Sequence, residues 1–93
     1  MKPSEILEKA KSLLTEETWG QGSERRAQGK MCAAEAIHSF LVTDQWSAET
    51  AYKRLRDQCD GSIPDWNDTP GRTLAEVHAA FDKAIELAKA EGE

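Results

Sequence analysis

The spacing of apolar residues along the chain predicts four amphipathic helices. In the first, the apolar residues recur at steps of one, three and four, which places them on a single helical face: Ile6, Leu7, Ala10, Leu13 and Leu14. The predicted helices cover approximately residues 4–16, 30–42, 48–60 and 74–90. No segment alternates apolar and polar residues as a half-buried strand does. The pattern therefore predicts an all-α fold, a compact four-helix domain.

A long structured loop is predicted before the last helix, over residues 62–72. Pro64 and Pro70 favour extended conformations in the residues that precede them, and Pro70-Gly71 suits the centre of a type II turn. Thr73 and Glu76 have the spacing of a capping box, which predicts that the last helix begins at residue 74.

Length and charge limit the classes of function. The 93 residues predict one domain, 1–93, with a modest core, and the net charge is −5. A negative field repels phosphate groups, so nucleic acid and anionic membranes are not the expected partners. No apolar run approaches a membrane span or a signal peptide. We expect a cytoplasmic protein with reduced cysteines.

The three tryptophans all lie in predicted connections rather than in helices. For Trp19 and Trp66 we expect a structural role, in which the indole fills a gap between helix ends and its N–H binds a carbonyl. Trp46 has less cover in a short polar connection. Because tryptophan is enriched at binding hot spots, Trp46 is the predicted contact with a partner.

The residues that could bind metal or catalyse a reaction do not form a recognisable motif. Cys32 and His38 are six residues apart, wider than the usual zinc-ligand spacing, and Cys59 and His78 are each isolated. Acidic and amide residues do cluster near the loop, but without the regular spacing of a calcium-binding loop. We predict no catalytic residue, metal or cofactor.

Three segments resemble a known family. They are Trp19-Gly20-Gln21-Gly22, Gly29-Lys30-Met31-Cys32-Ala33 and, most specifically, Ser62-Ile63-Pro64-Asp65-Trp66-Asn67-Asp68-Thr69-Pro70-Gly71-Arg72-Thr73-Leu74-Ala75-Glu76-Val77. With them the chain is similar, over nearly its whole length, to a small family of unknown function found in actinobacteria and in the phages that infect them. The resemblance implies a compact helical domain from a bacterium or a phage, and it implies no activity, cofactor or catalytic residue.

Arg72 has two interpretations. It could pair with Asp65 or Asp68, which lie close to it in sequence, and this internal clamp is the interpretation that we favour. Alternatively it could bind an anion beside the N-terminus of the last helix, where backbone N–H groups point outward.

Two classes of function follow. The first is a non-enzymatic protein-binding module, in the context of the resemblance a phage or mobile-element accessory protein acting on a host protein. The alternative is a protein that binds a small ligand or nucleotide, or an enzyme, using Arg72, the acidic loop and the start of the last helix. Self-association into a homodimer is a third hypothesis, because a short chain leaves apolar surface uncovered.

Overall fold

Five α-helices and one turn of 3₁₀ helix form the computed structural model, which describes residues 1–93. In chain order they are α1 (Pro3–Leu13), the 3₁₀ turn (Ser23–Arg25), α2 (Ala33–His38), α3 (Gln45–Arg56), α4 (Ile63–Asn67) and α5 (Leu74–Ala90). The prediction of a helical fold without strands is confirmed. The chain has five helices rather than four, because a short helix lies within the predicted loop. No helix combines the length and the apolar composition needed to cross a membrane.

The first helix ends three residues before its predicted end. The Thr18 hydroxyl donates to the Leu13 carbonyl oxygen at 2.6 Å, and the Trp19 amide donates to the Thr15 carbonyl at 2.8 Å. Threonine side chains that bind nearby backbone groups offer the chain an alternative to the helix. The helix therefore stops at Leu13, and Leu14 turns inward as part of the core.

The second helix is only half as long as predicted. Before it, Met31 and Trp19 form an isolated parallel bridge, in which the Met31 amide donates to the Thr18 carbonyl at 2.7 Å. This bridge keeps the start of the predicted helix extended. After His38 the chain continues in tight turns, and the Ser39 hydroxyl donates to the Ala36 carbonyl at 2.7 Å.

The third helix begins and ends earlier than predicted. Asp44 occupies the N-cap position, so Trp46 and Ser47 lie in the first turn of α3. The Ser47 hydroxyl donates to the Met1 carbonyl at 2.6 Å. The prediction that Trp46 lies in a connection is therefore wrong.

The predicted loop contains α4, a helix too short for apolar periodicity to reveal. Ser62 caps it by accepting the Asp65 amide, and Pro64 occupies the first turn, where a missing N–H costs nothing. Ile63 is consequently helical rather than extended. The following turn has a hydrogen bond from the Arg72 amide to the Thr69 carbonyl, with Gly71 at φ +84°, as a type II turn requires.

The last helix has the predicted bounds and completes the core. Thr73 and Glu76 form the capping box: the Thr73 amide donates to the Glu76 carboxylate, and the Glu76 amide donates to the Thr73 hydroxyl. Helix α1 packs against α2, α3 and α5, and all five helices contribute buried side chains. The largest apolar side chains that are fully buried are Ile6, Leu7, Leu14, Ile37, Leu55, Ile63, Val77 and Phe81.

Candidate functional site

Asn67 links three distant parts of the chain through one buried side chain. Its Oδ1 accepts the Trp19 indole N–H at 2.7 Å and the Ala33 amide at 3.0 Å. Its Nδ2 donates to the Gly20 carbonyl at 3.1 Å and to Asp68 Oδ1 at 3.0 Å. The side chain is completely buried. The amide oxygen accepts two hydrogen bonds and the amide nitrogen donates two, so all four positions are occupied. These bonds fix the side chain in one orientation.

Neighbouring residues extend these bonds to the surface. The Gln21 side-chain amide donates to the Asn67 and Thr69 carbonyls at 2.8 and 2.9 Å. The Gly22 amide donates to Asp68 Oδ1 at 3.0 Å. We call the connected residues the Asn67 network: Trp19, Gly20, Gln21, Gly22, Ala33, Asn67, Asp68 and Thr69. It joins all three of the sequence segments that carry the family resemblance into one structural unit.

Arg72 lies on Trp66 and makes no ion pair with the loop acids. Its guanidinium carbon is 4.1 Å from the centroid of the Trp66 ring, and its Nε donates to the Trp66 carbonyl at 3.0 Å. The carboxylate nearest to it is that of Glu76, one helical turn along, at 3.6 Å. The predicted clamp onto Asp65 or Asp68 is therefore wrong. Trp66 is buried beneath this contact, with 9% of its surface exposed.

The geometry of α4 explains why the two aspartates do not reach Arg72. Asp65 lies in the first turn of α4, exposed, and its amide is the one that Ser62 caps. Asp68 follows the last turn and directs its carboxylate to Gly22 and Asn67. The four residues predicted for binding, Trp46, Arg72, Asp65 and Asp68, thus do not form one cluster of mutual contacts.

A second group of polar contacts centres on Glu35. Its carboxylate accepts the Arg25 Nε at 2.6 Å and the Cys32 amide at 2.9 Å, and it lies 3.3 Å from Arg26. Arg25 also donates to the Gly22 carbonyl at 2.6 Å. The hydrogen bond from Arg25 is the main reason that the pKa of Glu35 is about 2, well below the ordinary value of 4.5. Arg25 is therefore engaged within the protein, whereas Arg26 stays 78% exposed.

The nucleophilic and metal-binding side chains are separated. Cys32 and Cys59 are both free thiols, and burial raises the pKa of each, to about 11 for Cys59. A thiol with a raised pKa stays protonated at neutral pH and is a poor nucleophile. Cys59 Sγ contacts the Leu55 carbonyl at 3.4 Å, whereas His78 Nε2 is 2.7 Å from the Leu14 carbonyl. No three histidine, cysteine or acidic side chains are grouped to hold a metal ion.

The largest groove runs between α1 and α5 and has a volume of about 560 Å³. His78 projects into this groove, and its contact with Leu14 occupies one ring nitrogen. Lys11 and Asp82 pair across the groove at 2.7 Å, and Glu8 pairs with Lys89 at 3.0 Å. Because these charged groups satisfy one another, the groove offers no group that is directed at a ligand.

A different surface lies where α2 turns into α3. Val42 is 97% exposed and Trp46 is 65% exposed, on either side of the turn. A groove of about 300 Å³ lies on adjoining parts of the chain, lined by His38, Leu41, Ala48, Glu49 and Tyr52. We call these seven residues the α2–α3 corner. Large apolar side chains with this exposure, next to a concave surface, are typical of sites that contact another molecule.

A family model matches residues 1–87 of the chain, and its description is "Family of unknown function (DUF6197)". The chain belongs to this family. No curated protein and no solved structure matches it. Membership in DUF6197 covers all three segments that carried the resemblance, as well as the whole α2–α3 corner, and it transfers no activity to them.

Sequence reasoning missed the central role of Asn67 and most of the α2–α3 corner. In the sequence, Asn67 was only one of the acidic and amide residues that cluster near the loop. One signal was available, since it is the sole asparagine of the chain and directly follows a tryptophan. For Val42, Tyr52 and Glu49 no sequence signal exists, because their placement depends on where α2 stops.

Proposed function

We propose that this chain is a small non-enzymatic protein-binding module and that its partner contacts the α2–α3 corner. The observation that carries the proposal is the exposure of Trp46, at 65%, together with that of Val42, which lies four residues earlier and is almost fully exposed. Tryptophan is on average highly buried, and burying its large surface in an interface contributes strongly to affinity. Within this proposal, the family resemblance supports a phage or mobile-element accessory protein that acts on a host protein.

The electrostatics of the chain favour a basic partner. The net charge of −5 attracts a positively charged surface and accelerates association with it. Phosphate-bearing partners would instead be repelled. A basic protein surface that ordinarily contacts nucleic acid would fit both the apolar corner and the acidic field around it.

The alternative, a small ligand at Arg72 and the start of α5, has less support. The guanidinium already contacts Trp66 and Glu76. The first turn of α5 is closed by its own capping box, and the carboxylate of Glu76 repels an anion there.

The proposal is tested by capture of partners from a lysate of the source cells with the immobilised chain. We expect a partner that binds the unaltered chain, is lost with Trp46→Ala or Val42→Ser, and is retained with Leu87→Ala. Leu87 is the matched control, because it is also an exposed apolar residue, 36% exposed, but lies on α5. Equal retention by Trp46→Ala, or no specific partner at all, would contradict the proposal.

A further inference from the structure

We infer that the groove of the α2–α3 corner binds a partner segment in which an aliphatic side chain stands beside a lysine or arginine. The inference rests on the proposed function, and it adds the chemistry of the segment that is recognised. It follows from the size of the groove, from its aromatic wall and from the single unpaired carboxylate in its lining.

The size of the groove fits a side chain rather than a cofactor. Its volume of about 300 Å³ is at the lower limit of pockets that enclose small molecules. His38 and Tyr52 form one wall, with ring centroids 4.9 Å apart and ring planes inclined by only 5°. Together with Leu41, the stacked rings offer an apolar surface to an inserted aliphatic group.

The charge of the groove selects the residue next to that group. Glu49 is the only acidic residue in the lining, and it is exposed. Its Oε1 accepts a hydrogen bond from the Gln45 side chain at 2.9 Å, and it forms no ion pair. The nearby Asp44, by contrast, is already paired with the terminal ammonium group at 2.7 Å. Glu49 is thus the carboxylate that remains for a cation supplied by the partner, and an arginine can bind a carboxylate through two parallel hydrogen bonds.

The same charge disfavours a second copy of the chain as the occupant. A two-fold symmetric contact brings the same patch of both copies together. Centred on this groove, it would bring two Glu49 carboxylates close and would join two chains of net charge −5. Like charges that face each other across an interface are unfavourable.

The inference is tested by selecting peptides from a phage-displayed library of short random sequences at near-neutral pH. The unaltered chain, Glu49→Gln, Glu49→Lys and Trp46→Ala serve as four separate baits. For the unaltered chain we expect enrichment of peptides that pair an aliphatic residue with arginine or lysine. Glu49→Lys should select acidic residues instead. Peptides chosen by the unaltered chain should bind Glu49→Gln about three- to tenfold more weakly.

Each outcome of the selection has a defined meaning. If Glu49→Lys selects the same basic peptides, or if no bait enriches any sequence, the inference is wrong. If the peptides are lost with Trp46→Ala but unaffected at Glu49, the proposed function stands and only the inferred chemistry fails. A molecular mass that doubles with concentration in light scattering, and does not with Trp46→Ala, would identify a second copy as the occupant and overturn the inference. Circular dichroism of the four baits should be identical, because Glu49 and Trp46 are both exposed.

Discussion

Trp19 and Trp46 have opposite surroundings, although the sequence predicts both in connections between helices. Trp19 packs against the core, and its indole N–H is bound by the buried Asn67. Trp46 leaves 65% of its surface in contact with water, and Val42, four residues earlier, is also exposed. The Asn67 network has partners for its polar groups within the chain, whereas the α2–α3 corner keeps apolar surface available. The comparison separates residues that hold the fold from residues that are free to contact another molecule.

Removing the Asn67 side chain should have the largest effect on the folded state. Asn67→Ala leaves the Trp19 indole N–H, the Ala33 amide and the Gly20 carbonyl without their partner. Each buried polar group left unsatisfied costs roughly 1–3 kcal/mol. We expect the free energy of unfolding to fall by about 3–5 kcal/mol in urea denaturation, a large part of the total for a chain of this size.

A matched control for Asn67→Ala lies two residues away in the same short helix. The Asp65 side chain is exposed, and only its backbone takes part in the local hydrogen bonds. Asp65→Ala should change the free energy of unfolding by no more than about 0.5 kcal/mol. Equal losses for the two variants would show that Asn67 is no more important than its surroundings.

Adding one methyl group to the network should have the next largest effect. In Gly20→Ala the new Cβ would lie 2.9 Å from both the Arg25 Cβ and the Lys30 Cβ. Cβ atoms are fixed by the backbone, so relief requires the chain itself to move. We expect a loss of about 1–3 kcal/mol in unfolding free energy, as for other overpacked sites.

Gly29→Ala separates the steric effect at Gly20 from a purely conformational one. Gly29 has φ +72° and open space around its Cβ position, so only backbone strain opposes the substitution. The left-handed conformation costs a residue with a side chain roughly 1 kcal/mol. A Gly29→Ala variant less stable than Gly20→Ala in urea would contradict the close packing at Gly20.

Acid should weaken the fold through Glu35. The pKa of Glu35 is about 2 in the folded chain and near its ordinary 4.5 when unfolded. The unfolded state therefore binds the proton first, and the stabilisation, fully present above pH 4.5, is lost as the pH falls toward 2. Because 28% of the Glu35 side chain is exposed, solvent screens its ion pair, and we expect it to contribute about 1–2 kcal/mol to the free energy of unfolding.

Urea denaturation at a series of acidic pH values checks this assignment. Glu35→Gln should lack the part of the pH dependence that the unaltered chain shows between pH 4.5 and 2. Arg26→Ala is the control, since Arg26 is 78% exposed and contributes the weaker contact to the same carboxylate. Curves that remain parallel for Glu35→Gln and the unaltered chain would assign the acid sensitivity to other carboxylates.

Features set by residues close together in sequence could be predicted, whereas features set by contacts between distant residues could not. The start of α5 was predictable because Thr73 and Glu76 are three residues apart and cap the helix locally. The bounds of α2 were not, because the bridge between Met31 and Trp19 delays its start and the turns after His38 end it.

The binding residues show the same limit. The Arg72 clamp was inferred from nearness in sequence, yet α4 turns the two aspartates away and leaves Arg72 on Trp66. Trp46 was singled out because it lay in a predicted short polar connection, whereas it lies in the first turn of α3. Local patterns thus predicted the helices and the capping box of α5, whereas contacts between distant segments could not be predicted from them.

The smallest effect on stability is expected at the α2–α3 corner, and there the comparison is sharpest. Trp46→Ala removes the exposed side chain that carries the proposed function, so the free energy of unfolding should change by no more than about 0.5 kcal/mol. Urea denaturation measures this change, and the capture experiment measures binding in the same variant. Asn67→Ala should instead weaken the fold, and its binding should recover under conditions in which the variant is folded. A loss of several kcal/mol in Trp46→Ala would mean that the indole supports the fold, and the proposed division of the molecule into a fixed network and an open corner would then fail.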